Sequence, residues 1–501
     1  MGDFMKKLLL SILFVLPILF VGCSKIDDLN EVSKNLNSYD IVATLDAENK
    51  LISANETVII QNSSDYSWDY VCFHLHPNAF KENRKENFAV SLSQEDRAYD
   101  GEKGYGSIEI KGVQENGQET SFEIQGEDEH ILRINTQNSL KKGDKTNIII
   151  TFLVSIPKVN HRLGYGEHTI NLGNWYPILC VFEDGEWNTD GYLPTGDPFY
   201  SKMANYDVEI SYDNCFSVAS TGSLIEENEE GGVKTSKYSA KAVRDFAMVF
   251  SKSFEKVEQT VGKTSVEYYF YDDENPERHL KTAVDALNTF NELIGEYPYN
   301  SLCVVKSNFL HGGMEYPMLV YVSDQIANEN EYNNVIIHEI AHQWWYGLVG
   351  NNELKFGFID EGLAEYSTAL FYELNDGYGT TKDEVIGNAL SSYLLYCDVY
   401  HDVYGKLNTS INRDIKTFNT ETEYVYLTYV KGLLMFDAIS EVVGQKKMNK
   451  CLKGLFEDWC YFEVTPEGMI ESFEKHSHRK LRSFITSWLD GSVVLESIQI
   501  N

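Results

Sequence analysis

The feature that most constrains the fold of this chain is a pair of histidines four residues apart, His338 and His342, with Glu339 directly after the first. On an α-helix this spacing places both imidazole rings on one face, one turn apart, so they can reach the same metal ion. Glu361 follows nineteen residues after His342, and we expect it to supply a third ligand from a second helix. Three protein ligands leave a fourth position open, which is typical of a catalytic zinc site. The sequence therefore predicts one zinc ion per chain.

The helix that carries the two histidines is predicted to be buried. A polar start at Asn333 is followed by an apolar run to Ile337, and Trp344 and Trp345 continue the apolar pattern. The alternative is a helix with two ordinary histidines. A buried helix with two histidines and a glutamate needs partners for those polar groups, and a metal ion is the simplest partner.

Four stretches of the chain match one family in the same order. The pattern of His338, Glu339 and His342 followed by Glu361 resembles the zinc signature of the aminopeptidase N-like metallopeptidases, which are gluzincins. Residues 294–299 resemble the end of the first helix of that family's catalytic domain. Residues 312–316 (GGMEY) are similar to its Gly-x-Met-Glu-Asn motif, and residues 429–432 (YVKG) to its Tyr-x-Lys-Gly motif. The resemblance covers most of residues 36–501.

The resemblance implies a role for each matched residue. Glu339 is expected to take a proton from water, and Tyr429 to donate a hydrogen bond to the developing oxyanion. Glu315 is expected to bind the free amine of a peptide. The residues expected to bind substrate are Gly312, Gly313, Met314 and Glu315.

Two further positions bear on the predicted site. Glu365 lies one helical turn after Glu361, and we predict that it orients His338 from outside the ligand set. The larger relatives carry a Pro-Cys-Phe-Asp-Glu-Pro stretch, preceded by a second amine-binding residue. That stretch is not intact here, and only Asp197 and Pro198 lie roughly where its Glu-Pro would be.

The pattern of short strands and helices indicates an α+β multidomain protein. Regular short strands separated by Gly, Asn and Asp predict an N-terminal antiparallel β domain over residues 38–255. Residues 256–501 are expected to form a thermolysin-like catalytic domain, mixed at first and then mainly helical. Because no further helical domain follows, the chain is expected to be a short form of the family.

Residues 1–23 have the arrangement of an export signal. Lys6 and Lys7 precede the apolar run 8–21, and Cys23 follows directly after a glycine. The segment resembles a bacterial lipoprotein signal, which implies a lipid on Cys23. An ordinary cleaved signal peptide and an uncleaved anchor are the alternatives.

The lipoprotein interpretation sets the expected location of the chain. Polar residues 24–37 are predicted to be a tether. The protein is then expected on the extracytoplasmic face of the cell membrane, held by its lipid anchor.

Composition narrows the possible partners. A formal net charge of −34 argues against nucleic acid, whose phosphates would be repelled, and against docking on anionic lipid by charge alone. The cysteines after Cys23 are odd in number and show no CxxC pair, so no disulfide framework is predicted, although Cys451 and Cys460 could pair. A monomer is the default expectation.

The predicted function is a zinc-dependent aminopeptidase that removes N-terminal residues from peptides with a free N-terminus. The alternatives are a zinc endopeptidase of the same fold, an epoxide or ester hydrolase on the same site, and a catalytically inactive lipid-anchored binding protein. The sequence does not specify the side-chain preference or the physiological substrate.

Overall fold

A computed structural model describes residues 29–86, 88–99 and 101–495. The predicted signal segment and Cys23 lie outside these residues. The strands, in chain order, are β1 (Asn37–Asp46), β2 (Leu51–Gln61), β3 (Trp68–His74), β4 (Ser107–Glu115), β5 (Gln118–Glu119), β6 (Phe122–Gln125), β7 (Ile131–Leu140), β8 (Lys145–Ser155), β9 (Leu163–Tyr165), β10 (Ile170–Leu172), β11 (Ile178–Leu179), β12 (Phe182–Glu183), β13 (Glu186–Trp187), β14 (Ala204–Asp213), β15 (Ser217–Ser220), β16 (Ser223–Glu230), β17 (Val233–Val243), β18 (Met248–Ser251), β19 (Glu255–Val261), β20 (Thr264–Phe270), β21 (Ser301–Ser307), β22 (Gly313–Met314) and β23 (Leu319–Ser323).

The helices are concentrated in the second half of the chain. They are α1 (Leu29–Ser33), α2 (Glu95–Tyr99), α3 (Pro276–Leu293), α4 (Glu329–Ala341), α5 (Glu353–Phe356), α6 (Phe358–Leu374), α7 (Lys382–Tyr404), α8 (Glu421–Val425), α9 (Lys431–Val443), α10 (Gln445–Trp459), α11 (Pro466–Ser477) and α12 (Arg482–Leu489). A π-helical turn, Tyr426–Val430, connects α8 to α9.

The N-terminal domain is built on a large sheet in the order β16-β17-β14-β1-β2-β8-β4-β5. Its strands alternate buried and exposed residues; Ile52, Ala54, Val58 and Ile60 of β2 face the core. This alternation is typical of a sheet with one face covered. Among the described strands of this sheet, β1 and β14 pair in parallel and the other neighbours pair antiparallel. The predicted antiparallel domain therefore contains one parallel pairing, between strands far apart in the chain.

The catalytic domain begins with a smaller mixed sheet in the order β19-β20-β21-β23-β22. Strands β20, β21 and β23 are parallel neighbours, and the short edge strand β22 runs antiparallel to β23. Helices α3 and α4 follow β20 and β23, and the rest of the domain is mainly helical. The predicted α+β class, a β domain followed by a mainly helical catalytic domain, is confirmed.

Helix α4 carries the predicted zinc motif at its C-terminal end. The side chain of Asn328 caps its start by accepting hydrogen bonds from the backbone N–H groups of Asn330 and Glu331, which otherwise lack helical partners. His338 lies in the last turn, and His342 is the C-cap residue. Both imidazoles therefore project from the C-terminal end of α4.

The second half of the predicted tether differs from the prediction. Residues 29–33 form α1, and Leu29, Val32 and Leu36 pack against the core of the protein. Asn205 also donates a hydrogen bond of 2.8 Å to the carbonyl oxygen of Ser33. These apolar contacts hold the segment on the β domain.

Two other features bear on sequence expectations. Within residues 29–495, as far as they are described, no helix has both the length and the apolar character needed to cross a bilayer. Cys451 and Cys460 are both buried and no disulfide joins them, so they do not form the bridge that the sequence left open.

Candidate active site

The two histidines and Glu361 converge on one point. Nε2 of His342 lies 3.0 Å from Nε2 of His338 and 3.2 Å from Oε2 of Glu361. Nε2 of His338 lies 3.4 Å from the same carboxylate oxygen. Tetrahedral zinc with bonds of about 2.0–2.1 Å requires ligand atoms about 3.3 Å apart. The three donor atoms therefore fit a single zinc ion.

Neighbouring groups orient the two imidazole rings. Nδ1 of His342 lies 2.9 Å from the carbonyl oxygen of Trp345, so Nδ1 carries the proton and Nε2 keeps its lone pair for a metal. Nδ1 of His338 lies 3.4 Å from Oε1 of Glu365. Glu365 is therefore beside the ring that it was predicted to orient, at ion-pair distance but without hydrogen-bond alignment.

The carboxyl groups of Glu361 and Glu339 have shifted pKa values. Burial would raise the pKa of Glu361, but the adjacent imidazoles of His342 and His338 lower it to about 2. Burial raises the pKa of Glu339 to about 7, although both imidazoles oppose the shift. A carboxyl group with a pKa near neutrality is suited to accept and return a proton at physiological pH.

Gly313 provides the space that Glu339 occupies. A methyl group at position 313 would lie 2.3 Å from Oε1 of Glu339, which is too close for any side chain. Position 312 is different, because a methyl group there would meet only a side-chain carbon of Val335 at 3.6 Å. Of the two glycines, Gly313 is the one that packing against Glu339 requires.

Tyr429 lies against the third zinc ligand. Its hydroxyl group donates a hydrogen bond to Oε1 of Glu361, the carboxylate oxygen that does not face the histidines. This position depends on close packing of α6 on α9, where Gly362 and Gly432 meet. A methyl group on Gly432 would lie 3.0 Å from the Cα atom of Gly362. The glycine of the Tyr-x-Lys-Gly motif therefore allows the two helices to approach.

Lys431 of the same motif has a structural position. It is buried, and its Nζ atom donates a hydrogen bond of 2.6 Å to the carbonyl oxygen of Thr409. Burial lowers the pKa of Lys431 to about 8. The side chain connects α9 to the segment before the π-helical turn and does not line the zinc cavity.

Glu315 is buried and faces the same cavity as the zinc ligands. Its Oε1 atom has no hydrogen-bond partner among the described residues. Burial and the nearby carboxylate of Asp197 raise the pKa of Glu315 well above its ordinary value. A buried carboxylate oxygen without a partner is costly, so this position favours a cationic ligand.

Arg162 and Asp197 complete the wall beside Glu315. The Arg162 guanidinium forms a buried ion pair with Asp197 and a hydrogen bond of 3.2 Å to the carbonyl oxygen of Gly196. The sequence singled out Asp197 only as part of a broken motif and did not identify Arg162. No local pattern marks Arg162, because its partners come from distant parts of the chain.

A cavity of about 530 Å³ brings the predicted residues together. The predicted residues that line it are Gly312, Gly313, Glu315, His338, Glu339, His342, Glu361, Glu365 and Tyr429. Met314 is not among the residues that line the cavity, and its buried sulfur atom accepts a hydrogen bond of 2.9 Å from Nε of Arg162. Successive residues of a strand face opposite sides, so Met314 faces Arg162 while Gly313 faces the cavity. Tyr316 also points into the core, where its hydroxyl group bonds Asn174 at 2.7 Å.

The zinc-ligand set and the fold together define the gluzincin class of metallopeptidases. Two histidines come from one helix and a glutamate from a later one, beside a mixed sheet whose edge strand borders the cavity. Residues 278–488 match the model of the peptidase family M1 domain. The resemblance to the aminopeptidase N-like gluzincins is confirmed.

Individual relatives agree with this assignment. Aminopeptidase B of Rattus norvegicus is 26% identical over 192 residues, which cover 37% of this chain and 29% of that protein. Leucine aminopeptidase 2 of Ajellomyces capsulatus is 24% identical over 220 residues, or 43% of this chain and 32% of the relative. The chain thus spans only about a third of the length of these relatives.

A solved structure extends the similarity over both domains. The M1 zinc metallopeptidase from Deinococcus radiodurans has a TM-score of 0.65 and 14% sequence identity, covering 92% of this chain and 95% of that structure. At this identity the match shows that the fold is shared. It does not by itself establish the reaction.

Proposed function

We propose that this protein is a zinc-dependent aminopeptidase. The observation that carries the proposal is the arrangement of one cavity, in which Glu315 lies buried and unpaired beside the three metal ligands and Glu339. The ligands and Glu339 fit hydrolysis of a peptide bond. Glu315 fits the free ammonium group that distinguishes an N-terminal residue from an internal one.

The residues of the site have separate roles in hydrolysis. His338, His342 and Glu361 would hold the zinc ion, which when bound supplies Lewis acidity and makes water a stronger acid. Glu339 accepts the proton that water loses as its oxygen attacks the carbonyl carbon. It then returns that proton to the amine nitrogen as the C–N bond breaks.

Tyr429 and Glu315 interact with the charged groups of the reaction. Burial raises the pKa of the Tyr429 phenol well above its ordinary value, so the hydroxyl group stays protonated. It can donate to the negative charge that develops on the carbonyl oxygen. Glu315 pairs with the substrate ammonium and so places the first peptide bond, and no other, next to Glu339.

The proposal is tested with the chain from residue 24 onward, loaded with zinc and incubated with matched peptides in free and N-acetylated forms. Mass spectrometry of the products is expected to show loss of single N-terminal residues from the free peptides only. Internal cleavage of both forms would contradict the exopeptidase assignment and favour a zinc endopeptidase. Binding of zinc without hydrolysis of any peptide would favour an inactive binding protein.

We also propose that a lipid on Cys23 anchors the protein to the extracytoplasmic face of the cell membrane. The support is the basic, apolar and small-residue pattern that ends at Cys23. An N-terminal cysteine that carries more than one acyl chain gives stable membrane attachment. Mass spectrometry of the mature N-terminus is expected to identify a lipidated Cys23, and Cys23→Ser should release the protein into the soluble fraction. A mature chain that begins elsewhere would contradict the proposal.

A further inference from the structure

The N-terminal β domain contributes one wall of the active-site cavity. Gln94, just before α2, and Arg97 within α2 both line it. Gln94 donates a hydrogen bond of 2.7 Å to Glu421 of the catalytic domain. NH2 of Arg97 donates a hydrogen bond of 2.6 Å to the carbonyl oxygen of Leu310. These bonds join the two domains across the cavity.

Burial raises the pKa of the Glu421 carboxyl and the charge of the nearby Arg97 opposes this shift by a smaller amount, but the two side chains form no ion pair among the described residues. The Nε and NH2 atoms of Arg97 each lie 3.2 Å from Oε1 of Gln325, so its acceptors are a neutral amide and a backbone carbonyl. Among the described residues, no acidic group forms an ion pair with it. The other arginine of the cavity, Arg162, is buried and already paired with Asp197. Arg97 is also exposed, so its guanidinium is accessible to a ligand.

Glu315 and Arg97 lie toward opposite ends of the cavity. Helix α4 runs along its floor, where Glu331 and His342 both line it. Arg97 bonds Gln325, just before the start of α4, whereas the carbonyl oxygen of Glu315 lies 3.5 Å from Gln343, just past its end. Eleven residues of helix between Glu331 and His342 span about 16 Å.

A second path along the chain sets an upper limit of similar size. Arg97 bonds the carbonyl of Leu310, five residues before Glu315, and five residues of extended chain span at most about 16–18 Å. The two charged side chains shorten the gap that a ligand must bridge. An extended peptide of four residues spans about 13–14 Å. The separation therefore matches a short peptide with an amine at one end and a carboxylate at the other.

We propose that Arg97 binds the C-terminal carboxylate of peptides of about three to four residues, so that the protein acts preferentially on short peptides. This inference rests on the proposed aminopeptidase function and adds a substrate class to it. Arginine and carboxylate form charge-assisted hydrogen bonds. Glu421 faces the same end of the cavity and opposes an incoming carboxylate, but its Oε1 atom is engaged by Gln94.

The test compares alanine peptides of three, four and six residues, each as the free acid and as the C-terminal amide. For the short peptides, kcat/KM of the acid is expected to exceed that of the amide about tenfold, the effect of one charge-assisted contact. For the six-residue peptide the ratio should be about one, because its carboxylate lies beyond Arg97. A structural role of Arg97 alone would not produce this dependence on length.

Two variants assign the effect to its residue. Arg97→Gln should bring the acid-to-amide ratio of the short peptides to about one. Arg278→Gln is the matched control, since Arg278 donates to the carbonyl oxygen of Gly377 away from the cavity and the change in charge is the same. It should keep the wild-type ratio. A wild-type ratio near one at all lengths, or a tenfold ratio that survives Arg97→Gln, would overturn the inference.

Binding separates this inference from the proposed function. The zinc-loaded Glu339→Gln variant retains the metal ligands and should bind uncleaved peptides, which calorimetry can measure. The short acids are expected to bind about tenfold tighter than the amides, and this difference should disappear when Arg97→Gln is added. Absence of hydrolysis in the wild type contradicts the proposed function, whereas absence of this difference in affinity contradicts the role of Arg97.

Discussion

Replacement of Gly432 by alanine should separate catalysis from zinc binding. Gly432 lies at the contact of α6 and α9, where a methyl group would come within 3.0 Å of the Cα atom of Gly362. Carbon atoms pack best at about 3.5–4.0 Å, and the atom in the way belongs to the backbone. The two helices must therefore move apart by about 0.5–1 Å.

This displacement acts on Tyr429, which lies three residues before Gly432 and donates its hydrogen bond to Glu361 across the same contact. Misplacement of a catalytic group by 1 Å costs about 10²-fold in rate, so we expect kcat to fall by about tenfold or more. Overpacking should also lower the free energy of unfolding by about 1–3 kcal/mol. Zinc affinity should change little, because α9 supplies no ligand.

The assay measures kcat, bound zinc and thermal unfolding for the same preparation. Gly387→Ala is the control, because Gly387 lies within the exposed face of α7 and a methyl group there meets no atom within 4 Å. That variant should keep its activity and gain about 0.5–1 kcal/mol of stability, as alanine favours helix. Full activity and full stability of Gly432→Ala would refute the argument that this glycine sets the approach of the helices.

Three further predictions concern single side chains. Tyr429→Phe should lower kcat about 10²–10³-fold through loss of an oxyanion donor, with bound zinc unchanged; loss of zinc instead would assign the tyrosine to the metal ligand. Glu365→Gln should weaken zinc binding about tenfold or more, measured by chelator competition, and an unchanged affinity would remove Glu365 from the site. Glu353 is buried, neither of its carboxylate oxygens has a partner among the described residues, and burial and Asp360 raise its pKa well above the ordinary value. Wild-type stability should therefore fall as the pH rises from the ordinary glutamate range toward this raised pKa. At pH 8 the free energy of unfolding of Glu353→Gln should exceed that of wild type by about 1–3 kcal/mol, and at pH 5 by less. The same change at the exposed Glu457 should have no such effect. Equal pH profiles of stability for Glu353→Gln and wild type would contradict the assignment.

The metal ligands could be predicted because their arrangement depends on local geometry. A four-residue spacing on a helix places His338 and His342 together whatever the rest of the fold does. The glutamate that follows them lies on the next long helix, α6, where the resemblance placed it. The helical assignments around these residues agree with the structure because the apolar pattern that signals each helix also buries it.

The structure adds details that the sequence did not predict where contacts between distant residues decide the outcome. Met314 belongs to a matched motif, yet it supports Arg162, because the direction of a strand side chain depends on register within the sheet. The pairing of β1 with β14 is parallel although the local pattern favours an antiparallel domain. The expected tether packs partly on the β domain, since three apolar side chains within it find a surface that no local pattern reveals.

The proposed metal ligands, the glutamate beside them and the class of fold are predictable from the sequence, because they follow from spacing along a helix and from the order of short motifs. The surroundings of these residues depend on the tertiary structure. It brings Arg97 from the β domain to one end of the cavity, pairs Arg162 with Asp197 at the other, and sets Gly362 against Gly432 so that Tyr429 reaches Glu361. Each of these contacts joins residues far apart in the chain, and such contacts form only when the folded backbone closes the distance between them.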